Sequence, residues 1–406
     1  MIGATRVAVL IGVRKPPPYA DGLMLAAFVS LAVLARWAGW QQKTNDMNIF
    51  FQWYQQLRHA GGWRGIGSEV GNYNAPFLYL LAITIYLPGP LILKIKAIFV
   101  IFDVVRAFFT YKIVGLRFED RRIPMAAALG MLLLPTVAIN ASWYGQMDAM
   151  WACFAVGGVY FLLRDRPWVA VALCTVSLAI KPQGIFIFPL LLLLALAGRL
   201  PWRTLLAVPA VWLALDLPAL IAGRNPIELF TIYDLDRQAR NVPALTLRAP
   251  SIYAYLSAGA EAGTVRTLGY IFTAAAILAI CYVLIFRDID IVASAALFAI
   301  LVPFLLPGMH ERYFFLADVT TVLLAIHHRR LWPVPLLVQT ASLLAYQPYL
   351  LGHATFPLTV PATLMLAALV TVVVAVIRDA YRRDPFEELL SRPTEARPEP
   401  LPARPV

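Results

Sequence analysis

The chain has 406 residues, 60% of them hydrophobic and only 14% charged, with a formal net charge of +11. Soluble domains are about 45–50% apolar and about 25% charged, so a soluble globular fold is excluded as the main architecture. The cations sit largely at the ends of apolar runs, which points to membrane topology and anionic lipid rather than to nucleic acid.

The first eighteen residues are basic (Arg6, Arg14, Lys15) and include a short apolar run, Val7–Val13. That run is too short to span and no cleavage site follows, so it reads as a cytoplasmic lead-in to an uncleaved first helix. Runs of near-spanning length follow at Leu23–Trp40, Ile123–Ala141, Leu205–Ile221, Leu268–Phe286 and Phe356–Ile377, with only Arg36 and Asp216 charged inside them. A helix needs about 20 residues to cross the hydrocarbon layer. Backbone groups there must be satisfied within the segment, so these runs are expected to be helical. Strand-like alternation is absent, which argues against a β-barrel.

Charge clusters divide the rest: Arg117–Arg122, Arg164–Arg166, Arg199–Arg203, Arg287–Asp290, His327–Arg330 and Arg378–Arg383. Two apolar runs lie between each consecutive pair, so all the clusters share one side, and the positive-inside rule makes it cytoplasmic. Pro76–Leu87 would reverse this order if it crossed, but it is short and is placed on the outer surface. The spans are then 20–40, 95–115, 123–141, 147–163, 168–181, 184–197, 204–222, 267–286, 291–306, 313–326, 332–350 and 357–377. The expected fold is an all-α polytopic membrane protein of about twelve transmembrane helices, multi-pass in the inner or plasma membrane, with both termini cytoplasmic. Residues 1–383 form one transmembrane domain, with long external loops at 41–94 and 223–266. The Pro-, Glu- and Arg-rich tail, 384–406, is expected to be disordered. Cys153, Cys174 and Cys281 all fall inside spans, so neither a disulfide framework nor a Cys-based zinc site is supported.

This topology sorts the unusual polar residues. Asp46, Asp148, Lys181, Gln183, His310, Glu311 and Arg312 come from separate parts of the chain, yet all fall at the external face. Charge beside hydrocarbon is costly and tends to mark function. Each has a plainer reading. Asp46 can be a solvated helix end, Asp148 a helix cap, and Lys181 and Arg312 snorkelling cations. Glu311 can pair with Arg312 or Lys181. Asp103 and Arg106 are three apart on one helical face and read as a structural pair. Asp216 reads as a contact with a neighbouring helix. Together, a carboxylate that can take a hydroxyl proton and cations that can neutralise a phosphate suit group transfer from a lipid-linked donor.

At these residues the sequence resembles the GT-C superfamily of polyprenyl-phosphate-sugar glycosyltransferases, and within it bacterial relatives of the PIG-V-type GPI mannosyltransferase. The likeness runs from about Asp46 to about Ala325 and rests on DMNIFFQWYQQL, NYNAPFLYLL, NASWYGQMDAMW, LAIKPQGIF and LPGMHERYFFLADV. It implies a GT-C-type fold with external juxtamembrane helices in the first long loop. It also implies transfer of a hexose, with mannose favoured, from a polyprenyl-phosphate donor to an external glycan or glycolipid acceptor. Asp46 maps to the catalytic base and Asp148 to the second-loop carboxylate. Lys181 and Arg312 match motif cations read here as donor-phosphate ligands, with Arg240 or Arg248 as further candidates for stabilising the departing phosphate. Tyr73, Asn74, Gln146, Gln183, His310 and Glu311 fall to substrate binding. The lone Asp in NDMN departs from the acidic pair of some branches, so no metal ligand is assigned and a divalent cation stays open. Arg248–Tyr253 also departs from the expected Asn-Ala-Pro-Asn. The alternative is a transporter or flippase for a lipid-linked sugar, to which Asp103, Arg106 and Asp216 would belong.

Overall fold

The computed structural model describes residues 19–256 and 262–382. The basic lead-in with Val7–Val13 and the tail 384–406 lie outside them. The chain is 77% helical with almost no sheet, so the all-α expectation holds. In order, the helices are α1 (Ala20–Trp37), α2 (Asn45–His59), α3 (Ala75–Ile83), α4 (Leu91–Gly115), α5 (Arg122–Leu133) and α6 (Pro135–Ala138). Then come α7 (Asp148–Leu163), α8 (Pro167–Ile180), α9 (Phe188–Leu196), α10 (Ala207–Ile221), α11 (Pro226–Phe230) and α12 (Leu235–Asn241). The last are α13 (Ala262–Leu284), α14 (Ile291–Leu305), α15 (Phe315–His327), α16 (Pro333–Leu351) and α17 (Thr359–Arg382). Proline opens α6, α8, α11 and α16, where its missing N–H and fixed φ cost nothing.

Among the described residues, three helical segments are long and apolar enough to cross a membrane alone: Trp202–Ile221, which contains α10, then α13 and α17. The outward faces of α10 and α13 are apolar, with Ile221, Ile271, Phe272 and Tyr282 exposed. Apolar surface on this scale marks a membrane protein. The expected twelve crossings are not reproduced by helix length. The expected span 184–197 splits into a 3-10 turn, Pro182–Ile187, and the nine-residue α9. The expected span 123–141 breaks at Leu134, and the pieces on either side are bent by 53°. Leu134 precedes Pro135, which forces it out of the helical region to ψ 128. Helices such as α14 are shorter than a full span but buried along their length, so protein rather than lipid surrounds them.

The described chain forms two compact units. The first contains the residues up to Tyr160, Ala179–Lys181 and Leu215–Ile232. The second contains Phe161–Leu178, Pro182–Ala214 and the residues from Tyr233 onward.

In the first unit, α4 packs on α5, and α1 packs on α5. A buried charge cluster joins them. Asp103 accepts from Arg106 at 2.9 Å, as the spacing on α4 predicts, and from Arg36 of α1 at 2.8 Å. Arg36 also donates to the carbonyl of Leu132, at the broken end of α5, at 3.0 Å. The first long loop is fixed in the same unit. α3 is only nine residues, about 14 Å at about 1.5 Å per residue, and is too short to span. Asn74 caps it through Ala75 N and donates to Asp216 at 2.9 Å, which supplies the structural contact expected of Asp216. Tyr79 donates to Leu215 O at 2.9 Å; burial pushes its phenol up to about 12, so it stays a donor.

In the second unit, α14 packs against α15 and α17, and α16 packs against both α15 and α17. Two short strands, β1 (Thr246–Leu247) and β2 (Met309–His310), pair in parallel. Tyr253 donates to Leu305 O at 2.8 Å, and burial raises its phenol to about 12. Gly269 is required beside it, because a Cβ there would lie 2.0 Å from the Tyr253 hydroxyl.

Replacing Asp103 with alanine leaves two buried guanidinium groups without their shared carboxylate. Breaking a buried pair in this way costs about 3–5 kcal/mol. The D103A protein should show a correspondingly lower thermal midpoint in detergent, measured by intrinsic fluorescence.

Candidate functional site

In the first unit the chain after the α5 break builds a frame around two carboxylates. Ile139–Tyr144 forms one π-helical turn, a form that often accompanies function. It ends at Gly145, whose φ of +69 is left-handed and favours glycine. A Cβ there would also meet the Met47 side chain at 2.4 Å. This turn aims Asn140, Gln146 and Asp148 inward.

Asp46 stands in the first turn of α2, where the helix dipole favours a carboxylate. Thr44 caps that helix by accepting from Met47 N at 3.3 Å, and its hydroxyl donates to Tyr144 O at 2.7 Å. Gln146 Nε2 donates to Asp46 Oδ2 at 2.6 Å. Asp46 is half-buried.

Asp148 is wholly buried. It accepts from Asn140 Nδ2 at 2.8 Å, from Trp151 Nε1 at 3.0 Å and from Lys181 Nζ. Lys181 is buried too, and its ammonium lies 5.8 Å from the centroid of the Tyr73 ring. The sequence placed Lys181 and Asp148 in separate roles at an external surface. The structure joins them as one buried ion pair, because neither charge is tolerated alone in an apolar interior. Asn74, expected at substrate, is likewise buried and engaged by α3 and Asp216.

Lys96 is a member of this frame that the sequence reading missed. Its ammonium donates to Gly39 O at 2.9 Å, to Gln42 O at 2.7 Å and to Ser142 O. It thereby ties the chain after α1 to the π turn. A lysine within the apolar ILKIKAIF was the available signal.

The second unit holds a separate group. The β1–β2 pairing, extended by a bridge between Arg248 and His310, brings the second long loop to the LPGMHERYFF segment. Gly308 N donates to Leu245 O at 2.7 Å and Glu311 N to Leu247 O at 3.1 Å. Arg248 is exposed and holds a φ of +62, a strained value for a side-chain-bearing residue. Arg312 is buried and pairs with Glu311 at 3.0 Å, and its Nη1 lies 3.5 Å from His310 Nδ1. Glu311 thus pairs with Arg312, one of the partners that the sequence allowed. Arg240 is exposed on the last turn of α12 and makes no hydrogen bond or ion pair with this group among the described residues.

Also in the second unit is a cavity of about 320 Å³, walled by Gln183, Phe186, Trp212, Tyr233, Tyr270 and Tyr313 among others. Gln183 is buried, and its Oε1 has no hydrogen-bond partner among the described residues. Gly184 shapes the turn behind it, because a Cβ there would lie 2.3 Å from Leu178 N. Among the described residues, no group of three or more His, Cys, Asp or Glu is placed to hold a metal ion.

No protein-family model matches the chain, and no curated protein matches it.

The buried pair separates structural from ligand-binding roles. Lys181→Met alone strands a buried carboxylate and should cost about 3–5 kcal/mol. The double variant D148N/K181M removes both charges and should recover most of that stability in a double-mutant cycle of detergent unfolding. A lysine that served only to bind phosphate would show neither the single loss nor the recovery.

Proposed function

We propose that the chain is a GT-C-type membrane glycosyltransferase. It moves a hexose, mannose being favoured, from a polyprenyl-phosphate sugar to a hydroxyl of an external glycan or lipid acceptor. In this reading the chain crosses the membrane twelve times, both termini are cytoplasmic and Asp46 lies outside. Support for the topology comes from the charge clusters and from the helices found within each expected span.

The observation that carries the reading is the state of Asp46. It is a half-exposed carboxylate with one oxygen fixed by Gln146, mounted on a capped helix. Such a group can accept a proton from a hydroxyl held within hydrogen-bond reach. As the acceptor oxygen bonds to the anomeric carbon, the bond from that carbon to the phosphate oxygen breaks. The proton passes to Asp46, the polyprenyl phosphate leaves with the electron pair, and the anomeric centre inverts.

Other roles follow from burial. Asp148 and Lys181 hold the frame that presents Gln146, rather than contacting phosphate. Arg248, exposed and held beside His310 and Arg312, is the better phosphate ligand. Asp103, Arg106 and Asp216, the residues a transporter would employ, are instead held by Arg36 and Asn74 in fixed contacts.

Asp46→Asn keeps the shape of the side chain and an oxygen that can accept from Gln146, but removes the base. Transfer from a radiolabelled polyprenyl-phosphate hexose in proteoliposomes should fall by about 10²–10⁴-fold, with the elution profile and thermal midpoint unchanged. Near-normal turnover in folded D46N protein overturns the assignment. Arg248→Ala should mainly raise KM for the donor.

A further inference from the structure

A second charged site lies in the second unit, among residues that the proposed transfer does not use. An open cavity of about 420 Å³ is walled by His328, Arg329, Arg330, Asp379 and Arg382. Three arginines, a histidine and one carboxylate make up its lining. Its position is informative, because Arg382 is in the last turn of α17, a 24-residue apolar helix long enough to cross a membrane. The cavity therefore opens where hydrocarbon gives way to water.

The charges around it are partly balanced. Arg330 pairs with Asp379. His328 Nε2 lies 2.7 Å from Asp290 Oδ2, and Asp290 also caps α14 by accepting from Ala293 N at 2.9 Å. The guanidinium of Arg287 stacks 4.1 Å from the centroid of the Tyr381 ring. These contacts fix the walls. They also occupy both carboxylates, Asp290 and Asp379. Arg329 and Arg382 are exposed, and their guanidinium groups make no hydrogen bond or ion pair among the described residues. Two guanidinium groups thus face a preformed cavity whose carboxylate is already neutralised.

We infer that this cavity binds the phosphate diester of an anionic lipid headgroup, with Arg329 and Arg382 as its ligands. Planar guanidinium groups match phosphate oxygens in pairs. The volume falls within the range of small-ligand sites, so a headgroup fits rather than a bare surface ion. The end of α17 supplies the reason for a lipid source: an acyl chain can follow the apolar helix while its phosphate rests between the arginines. The site is independent of Asp46 and of the transfer reaction.

The test uses the full chain in mild detergent, titrated with phosphatidylglycerol or phosphatidylcholine and read by native mass spectrometry. Wild-type protein should retain phosphatidylglycerol in preference to phosphatidylcholine. The R329Q/R382Q variant should bind phosphatidylglycerol roughly 30-fold more weakly, with phosphatidylcholine binding unchanged. The single variants R329Q and R382Q should each show part of the loss, which keeps the test readable if the double variant does not fold. Inorganic phosphate at equal concentration should not displace the lipid. Equal retention of the two lipids, an undiminished double variant, or displacement by inorganic phosphate each overturns the inference.

Discussion

The ammonium of Lys181 and the carboxylate of Asp148, both removed from solvent, anchor the first unit. Either charge alone in such surroundings would be expelled or neutralised. Together they need further donors to saturate the carboxylate, and Asn140 and Trp151 supply them. That requirement explains the local chain path. The π turn and the left-handed Gly145 are what bring Asn140 and Asp148 to the same point. Gln146, lying between Gly145 and the start of α7, is then directed at Asp46. A half-buried residue, Asp46, is thus positioned by a buried ion pair behind it.

The second unit solves a different problem with backbone rather than charge. Between α12 and α13 the described chain has little regular helix to fix it, so hydrogen bonds help to set its path. Two residues of parallel pairing, extended by the Arg248–His310 bridge, do so. Arg266 adds three contacts from one guanidinium nitrogen, to the carbonyls of Val242, Pro243 and Ala244. Arg248 then stands out from a fixed backbone.

Much of this was legible in the residues, and the parts that were not share a cause. Helix positions followed from apolar runs, and the Asp103–Arg106 contact followed from a spacing of three. Both are local. The partner Arg36 is 67 positions from Asp103, and Lys181 is 33 from Asp148. No periodicity encodes such pairs, so Lys181 read as a surface cation when it is an interior one. β1 and β2 are two residues each, too short for alternation to register. The break in the expected span 123–141 did have a sign in the sequence, Leu134–Pro135. Hydrophobicity averaged across that run concealed it. The shortness of α9 and α14 was hidden in the same way, since composition alone does not separate a helix facing lipid from one enclosed by protein.

The interrupted helix and the buried arginine of α1 form a single device. Within an uninterrupted helix the carbonyl of Leu132 would belong to an amide one turn further on. The bend releases it, and Arg36 takes it with the same guanidinium that meets Asp103. Straightening the segment, for instance by removing Pro135, would therefore do more than extend a rod. The helix would reclaim its acceptor, and the disturbance would travel to α4 as an electrostatic fault rather than a steric one.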